Sequence, residues 1–433
     1  MARSKQNRVV LAAGLRLPQA RAGGAYARED AAHLGATLAR ELLARTAIPP
    51  ERIDEVVVGC VGPPHDQANV ARVIALRAGL PRQVPAQTVA RNCASGMQAV
   101  ATAVTRIEAG RGELFLCLGV EVMSAYPLVF NRRAVGFFSR LSKARTAGEK
   151  LGALAGFRPS MLAPRVTLVE GLTDPTCGLI MGSTAENLAR DFGIGRAESD
   201  AYALESHRRA RDARERGRLA LETVPHLPLG AARSVAADDG IRDDQTLVAL
   251  GKLRPYFEKP DGVVTVGNAC GITDGATALI VTTEERAREL GLAPLAAVRG
   301  RAWAGLDPAR MGLGPAYASA KALDEAGCTL REMGTVELNE AFAVQVLACG
   351  RAFASDEFCR RELGRAALGE LDPARLNPNG GAIAIGHPVG ATGARLLLTV
   401  AHELAAGDHE LGLATLCIGG GQGGAFVLER VAA

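Results

Sequence analysis

Three glycine-rich turns carry residues that together can perform acyl transfer. Cys93 lies in VARNCASGMQA (residues 89–99), where small residues open into an apolar pattern of helical period. A cysteine at a helix start lies near free backbone N–H groups and the positive end of the helix dipole, which favour the thiolate. Two later turns, GHPVGATGAR (386–395) and LCIGGGQGG (416–424), contribute His387 and Cys417. A thiolate, an imidazole and a second thiol predict transfer through a covalent thioester.

Each of these residues also has a structural interpretation. Cysteine is often buried and inert, and an isolated histidine is more often structural than catalytic. The joint presence of all three in glycine-rich turns favours the catalytic interpretation, because glycine lets substrate approach the backbone closely. Five further cysteines lack such a context and are predicted to be inert: Cys117, Cys177, Cys328, Cys349 and Cys359.

Composition restricts the class of protein. The chain has 433 residues, 48% apolar and 22% charged, enough for two or three domains with substantial cores. A net charge of +4 and only 4% aromatic residues argue against nucleic-acid binding. Nine cysteines without CxxC or Cys/His spacing predict neither a metal site nor a disulfide framework, and they suit a reducing, cytoplasmic compartment. No apolar run is long enough to span a membrane.

The sequence contains an internal duplication at an offset of 297 residues, with Cys93 opposite Gly390. Apolar positions spaced by three and four, from Met97 to Ile107, fall opposite Ala394 to Leu404 and indicate one helix face in each copy. Short apolar runs follow in both copies, at 114–118 and 411–415, and predict buried strands. We therefore expect two related α/β halves, each with a sheet covered by helices.

The sequence resembles the thiolases along nearly its whole length. Five blocks carry the resemblance in the expected order: the Cys93 turn, MGSTAEN (181–187), NEAF (339–342), the His387 turn and the Cys417 turn. The resemblance implies an α/β thiolase fold, with two duplicated halves forming a five-layered α-β-α-β-α core. It predicts an N-terminal half at 1–124 plus 267–290, an inserted domain that covers coenzyme A at 125–266, and a C-terminal half at 291–433.

The resemblance also implies roles for individual residues. His387 would activate Cys93 and donate to the thioester oxygen of the leaving enolate, where Asn339 would hold a water. Cys417 would carry a proton to and from the α-carbon of acetyl-CoA. The N–H groups of Cys93 and Gly419 would form a second oxyanion hole. Coenzyme A is then a substrate, and no prosthetic group is expected.

Two positions near the expected substrate depart from the usual thiolase pattern. Cys270 stands where serine is usual, and a thiol is a weak hydrogen-bond donor. Ile180 stands where short-chain biosynthetic thiolases carry histidine. Met181 and Met311 are expected to contact coenzyme A or substrate with Cys270. Glu340 is expected to orient the catalytic cluster, and an acid at a helix start is the less favoured alternative.

Several functions are compatible with these residues. The first expectation is cleavage of 3-oxoacyl-CoA, or the reverse condensation, with acyl chains longer than acetoacetyl-CoA. An acetyltransferase specific for acetoacetyl-CoA is the alternative, since the NEAF block is like that of ordinary thiolases. A β-ketoacyl synthase would pair its cysteine with two histidines, whereas Cys417 stands here. A catalytically silent binding subunit would be expected to have lost one of these residues.

A stretch rich in basic and apolar residues lies in the segment between the two halves. Residues 126–169 contain eight Arg and Lys residues against the single acid Glu149, interleaved with Phe and Leu. The pattern suits an anionic surface: a phosphate of coenzyme A, a partner subunit of a β-oxidation complex or, less strongly, a membrane face. The resemblance to thiolases also predicts a homodimer or homotetramer.

Overall fold

The computed structural model describes residues 8–407 and 409–431. The first seven residues of the predicted N-terminal half lie outside them. The strands are β1 Val9–Arg16, β2 Ala20–Arg21, β3 Glu55–Gly59, β4 Ala86–Val89, β5 Leu114–Val122, β6 Leu128–Val129, β7 Arg165–Val166, β8 Thr273–Thr283, β9 Ala296–Gly305, β10 Thr335–Leu338, β11 Leu411–Ile418 and β12 Gln422–Glu429. The helices are α1 Ala31–Thr46, α2 Val70–Arg77, α3 Ser95–Glu108, α4 Arg132–Lys143, α5 Ala147–Ala155, α6 Thr167–Gly171, α7 Met181–Phe192, α8 Arg196–Glu215, α9 Leu247–Gly251, α10 Glu284–Glu289, α11 Gly314–Ala326, α12 Ala343–Ala354, α13 Asp356–Phe358, α14 Ala382–Ile385 and α15 Val389–Ala405.

The strands form two mixed sheet halves that meet edge to edge. Their order is β10-β11-β12-β9-β1-β8-β5-β3-β4, with β2 pairing on β8. In the described part of the chain, the two sheet halves pair through β1 and β9, at Val10↔Ala297 and Leu11↔Ala296. On each side of this joint the same pattern recurs, since β8 pairs antiparallel with β5 as β12 does with β11. The symmetry of the strand order reflects the sequence duplication.

Successive side chains along each strand point alternately into two different apolar clusters, so the core is divided into layers. Val10 faces the apolar cluster under α1 and α2, whereas Leu11 faces a central cluster that contains residues of α3 and α15. In the other half, Ala414 faces the central cluster and Leu413 faces the cluster under α11 and α12. Successive side chains of a strand point to opposite faces, so each sheet half is covered on both sides. The predicted α-β-α-β-α layering is thereby confirmed.

The central helices α3 and α15 pack closely through small residues. A Cβ on Gly96 would lie 2.9 Å from the backbone N of Ala394, and a Cβ on Gly393 would lie 2.7 Å from the backbone N of Met97. These two contacts are copies of each other at the offset of 297 residues that the sequence predicts. Glycine at both positions allows the two helix backbones to approach.

The segment between β5 and β8 holds α4 to α9 and the short β6–β7 pair. Its helix α8 packs on α14 and α12, which lie near the catalytic turns in sequence. The predicted boundaries of this inserted domain stay predictions. Within the described residues, no helix has the length and apolar character needed to cross a bilayer.

Candidate active site

The Cys93 turn lies between β4 and α3 and is held by hydrogen bonds from both halves. Asn92 adopts a left-handed backbone with φ of 43°, a conformation that asparagine tolerates better than most residues. Its Nδ2 donates to the carbonyl of Gly419 at 2.7 Å. The hydroxyl of Ser95 donates to the Asn92 carbonyl at 2.7 Å and accepts from Arg91 N at 2.9 Å. These contacts fix Cys93 at the joint between the halves.

The Cys93 sulfur lies beside backbone donors but is mainly shielded from water. Burial raises the pKa of the thiol, although the N–H groups of Gly419 and of Cys93 itself oppose this. The expectation of a stabilised thiolate in the free enzyme is therefore wrong, because desolvation outweighs the backbone donors. The side chain is still partly exposed. A neutral thiol that a base must deprotonate is the resting form.

His387 lies between α14 and α15 with its side chain almost fully buried. Its Nδ1 is 2.7 Å from the Thr392 hydroxyl, which itself donates to the Pro388 carbonyl at 3.1 Å. Burial, and secondly the charge of Arg395, lowers the pKa of His387 to about 3. The imidazole is therefore neutral at physiological pH. A neutral imidazole can accept a proton from a thiol.

Asn339 and Cys417 lie at the ends of two adjacent parallel strands. Leu338 at the end of β10 pairs with Thr415 of β11, and Asn339 N donates to the Thr415 carbonyl at 3.0 Å. Asn339 is fully buried, yet neither its Nδ2 nor its Oδ1 has a partner among the described residues. An amide left unpaired in this way is costly, so it marks a place where a water or a substrate oxygen belongs.

Burial raises the pKa of Cys417 well above its usual value, and the nearby thiols of Cys93, Cys349 and Cys270 add to the effect. Cys417 is 1% exposed, far less accessible than Cys93. A thiol that keeps its proton at neutral pH is suited to donate it to a carbanion rather than to attack as a nucleophile.

Glu340 ties the inserted segment to the His387 turn. Its carboxylate accepts hydrogen bonds from Tyr202 at 2.9 Å, Ser206 at 2.6 Å and Asn377 at 3.0 Å. It also accepts from the backbone N of Ile383 at 3.2 Å, four residues before His387. This agrees with the expected orienting role. An acid at a helix start would not account for contacts to three separate segments.

The three residues expected to contact coenzyme A, Cys270, Met181 and Met311, lie in three different parts of the fold. Cys270 N donates to the Ala341 carbonyl at 3.0 Å, which brings this loop to the NEAF block, and burial raises the pKa of its thiol to about 12. Met181 Sδ would lie 3.4 Å from a Cβ on Gly419, so it lines the catalytic turn. Met311 is buried in the apolar cluster under α11 and α12.

Sequence reasoning did not single out Glu121. This buried carboxylate on β5 accepts from the backbone N of Val61 at 2.9 Å, Gly62 at 3.0 Å and Gly390 at 3.0 Å. It thus fastens the start of α15, just after His387, to the N-terminal half. Burial raises the pKa of Glu121, while its hydrogen bonds lower it. The sequence signal that could have identified Glu121 is its position as the one charged residue in the apolar strand LFLCLGVEV.

Two family models together match nearly the whole chain. They are described as the thiolase N-terminal domain, over residues 9–285, and the thiolase C-terminal domain, over residues 292–430. The chain belongs to the thiolase family. The predicted acyltransferase chemistry is confirmed, and neither the acetyltransferase specific for acetoacetyl-CoA nor the catalytically silent subunit is favoured.

Named relatives agree with this family. The thiolase is 41% identical to the 3-ketoacyl-CoA thiolase of Pectobacterium carotovorum over 98% of this chain and 97% of that protein. It is 38% identical to the protein of the same name in Yersinia enterocolitica, with the same coverage. Among solved structures, human mitochondrial 3-ketoacyl-CoA thiolase is 34% identical with a TM-score of 0.85, over 99% of this chain and 100% of that chain. The acetyl-CoA acetyltransferase of Bacillus anthracis is 36% identical with the same TM-score, over 98% and 99%.

Proposed function

We propose that this thiolase uses Cys93 to cleave 3-oxoacyl-CoA with coenzyme A, giving acetyl-CoA and a shortened acyl-CoA, and that it catalyses the reverse condensation. One observation carries the proposal: Asn92 Nδ2, directly before Cys93 in the N-terminal half, donates to the Gly419 carbonyl of the C-terminal half at 2.7 Å, which holds the Gly419 backbone beside the Cys93 turn. A backbone donor beside a thiol is what acylation of that thiol requires. The names of the relatives support degradation of fatty acids by β-oxidation.

In the first half-reaction His387 accepts the Cys93 proton and the sulfur adds to the 3-oxo carbon. The N–H groups of Cys93 and Gly419 donate to the resulting oxyanion. Its collapse breaks the bond between the α- and β-carbons, leaving acyl-Cys93 and the enolate of acetyl-CoA. Cys417 then protonates the α-carbon, which its raised pKa permits. The imidazolium proton returns to the Cys417 thiolate, so both groups are reset.

In the second half-reaction coenzyme A takes the acyl group. His387 accepts the proton of the coenzyme A thiol, whose sulfur attacks the acyl-Cys93 carbonyl. The same two backbone N–H groups stabilise the oxyanion. Collapse releases the shortened acyl-CoA and the Cys93 thiolate, which regains its proton from the imidazolium. Thiol and thioester exchange at nearly equal energy, so the sequence runs in both directions.

The enolate needs its own donors. We assign them to His387 in its protonated form and to a water held by the Asn339 amide. The Nδ2 and Oδ1 of Asn339 support this assignment, because a water there would satisfy a buried amide that has no partner within residues 8–407 and 409–431. Loss of one such donor typically lowers the rate about 10²- to 10³-fold.

Coenzyme A binding is assigned to the loop that carries Cys270, together with Met181. Met311 is buried in the apolar core, so its expected contact with substrate stays a prediction. The reaction as written uses only thiols, an imidazole and backbone donors, so we expect no prosthetic group. The serine usual at position 270 would donate a stronger hydrogen bond than the thiol. Cys270→Ser is therefore expected to lower KM for coenzyme A, measured by steady-state thiolysis.

The two catalytic thiols are separated by substitution. Cys93→Ser is expected to abolish acylation by 3-oxoacyl-CoA in mass spectrometry of the intact protein. Cys417→Ser is expected to form some acyl-enzyme but to lose exchange of the α-protons of acetyl-CoA with deuterated water. Cys359→Ser changes a buried thiol that donates to the Ala352 carbonyl at 3.3 Å, and it serves as the matched control. Proton exchange at the wild-type rate in Cys417→Ser would contradict its acid–base role.

We propose a preference for acyl chains longer than four carbons. Ile180, directly before α7, removes a polar group where short-chain enzymes carry histidine. The measurement is kcat/KM for thiolysis across a series of 3-oxoacyl-CoA substrates of increasing length. A steady fall beyond four carbons would instead assign the enzyme to acetoacetyl-CoA.

A cytoplasmic homodimer or homotetramer is the assembly that we propose. Nine free thiols, one of them the nucleophile, support a reducing compartment. The segment 126–169 presents exposed Leu128, Phe130, Val135 and Leu151 beside its Arg and Lys residues. This surface is the proposed contact for a β-oxidation partner subunit or, more weakly, a membrane. Sedimentation of the wild type and of Val135→Ser with Leu151→Ser distinguishes self-assembly through this surface from assembly elsewhere.

A further inference from the structure

A carboxylate and two imidazoles converge away from the catalytic turns. Glu29 lies just before α1, His33 lies in its first turn and His226 lies in the inserted segment, 197 residues from Glu29 in sequence. The Glu29 Oε2 is 2.5 Å from His33 Nδ1, and its Oε1 is 3.0 Å from His226 Nε2. All three potential ligand atoms lie within 4.8 Å of one another.

We propose that Glu29, His33 and His226 bind a divalent transition-metal ion, with Zn²⁺ the preferred occupant. Two imidazole nitrogens and one carboxylate oxygen form a ligand set that suits zinc and leaves a fourth position for water. Tetrahedral ligands at about 2.0–2.1 Å from zinc stand roughly 3.3 Å apart. Movements of about 1 Å or less therefore convert the hydrogen-bonded cluster into a coordinated one.

The backbone around each ligand is already fixed. The His33 N–H donates to the N-cap carboxylate of Asp30 at 2.8 Å. His226 forms two backbone hydrogen bonds with Val235, of 3.0 and 2.7 Å. The ring of Tyr26 packs edge-on against His226 at 5.4 Å, which holds the imidazole plane. Such preorganisation lowers the cost of binding a metal.

The carboxylate also has the environment of a metal ligand. Glu29 is shielded from water, and its Oε1 accepts the Leu229 N–H at 2.8 Å. That bond orients the carboxylate and leaves Oε2 available for the metal, with the hydrogen-bonded outer contact that metal ligands usually have. The His33 side chain is 28% exposed, which gives a path for the ion and for a water in the fourth position. The site would fasten the start of α1 to the inserted segment.

The experiment is Zn²⁺ titration of metal-free, full-length protein by calorimetry, together with thermal unfolding. Wild-type protein is expected to bind one Zn²⁺ per chain at this site and to gain in Tm. His33→Ala keeps the backbone bond to Asp30 and is expected to weaken binding more than about tenfold and to abolish the Tm gain. His65→Ala removes another exposed histidine and is expected to behave as wild type.

X-ray absorption at the zinc edge of the wild-type complex tests the ligands without any substitution. Nitrogen and oxygen scatterers at about 2.0–2.1 Å support the site, whereas a sulfur scatterer near about 2.3 Å places zinc on the catalytic thiols and overturns the proposal. Equal Zn²⁺ affinity in wild type and folded His33→Ala also overturns it. If the wild type does not bind Zn²⁺, the proposal is also overturned, and the cluster is a carboxylate hydrogen-bonded to two imidazoles.

Discussion

The Thr392 hydroxyl determines which nitrogen of His387 carries the proton. Its oxygen donates to the Pro388 carbonyl at 3.1 Å and lies 2.7 Å from His387 Nδ1. A hydroxyl has one hydrogen, so it must accept the bond from Nδ1–H. The remaining lone pair of the neutral ring is therefore at Nε2, where it can serve as the base for a thiol.

Thr392→Val is expected to lower kcat about 10- to 100-fold, because the isosteric side chain neither accepts from Nδ1–H nor fixes the tautomer. Thr392→Ser retains the hydroxyl and should stay near wild type. Steady-state thiolysis and the rate of acyl-enzyme formation measure both. Wild-type kcat in Thr392→Val would show that another group positions the ring.

The buried neutral His387 makes stability depend on pH. Its pKa is lowered from 6.5 in the unfolded chain to about 3 in the folded one, so below pH 6.5 the unfolded state binds the extra proton. The free energy of unfolding therefore falls as the pH drops, by about 2 kcal/mol between pH 7 and pH 5 from this group. Urea unfolding of wild type and His387→Gln at both pH values checks this, with a smaller change expected in the variant.

Asn339→Leu is expected to separate activity from stability. The substitution replaces a buried amide, which no described residue hydrogen-bonds, with an apolar side chain of similar size, so the free energy of unfolding should be unchanged or higher. The rate of thiolysis should fall about 10²- to 10³-fold, because leucine cannot hydrogen-bond the water that donates to the enolate oxygen. A large loss of stability with wild-type turnover would assign Asn339 to the core instead.

Gly96→Ala tests the contact between the central helices. The added Cβ would lie 2.8 Å from the Gly390 carbonyl and 2.9 Å from Ala394 N, and neither backbone can move freely. We expect a destabilisation of about 1–3 kcal/mol in urea unfolding. Gly136→Ala on the exposed helix α4 meets no atom within 4 Å and should instead stabilise by up to about 1 kcal/mol. Similar effects of the two substitutions would contradict close helix packing.

The duplication, the two α/β halves and the order of the catalytic turns follow from the sequence by itself, whereas the layered core was implied by the resemblance to thiolases. Apolar spacing of three and four around Met97 and Ala394 marks two equivalent helices, and continuous apolar runs mark buried strands, because these patterns reflect local backbone geometry. The thiol, imidazole and amide that the chemistry needs are also visible as residue types within short sequence blocks.

The tertiary structure alone decides how those groups behave. Gly419 lies 327 residues from Asn92 yet accepts its hydrogen bond, and Glu121 reaches Gly390 across the two halves. The raised pKa of Cys93 and the lowered pKa of His387 come from burial, which depends on every element packed around them. Burial and long-range contact have no local signature in a chain, because folding brings these distant residues together.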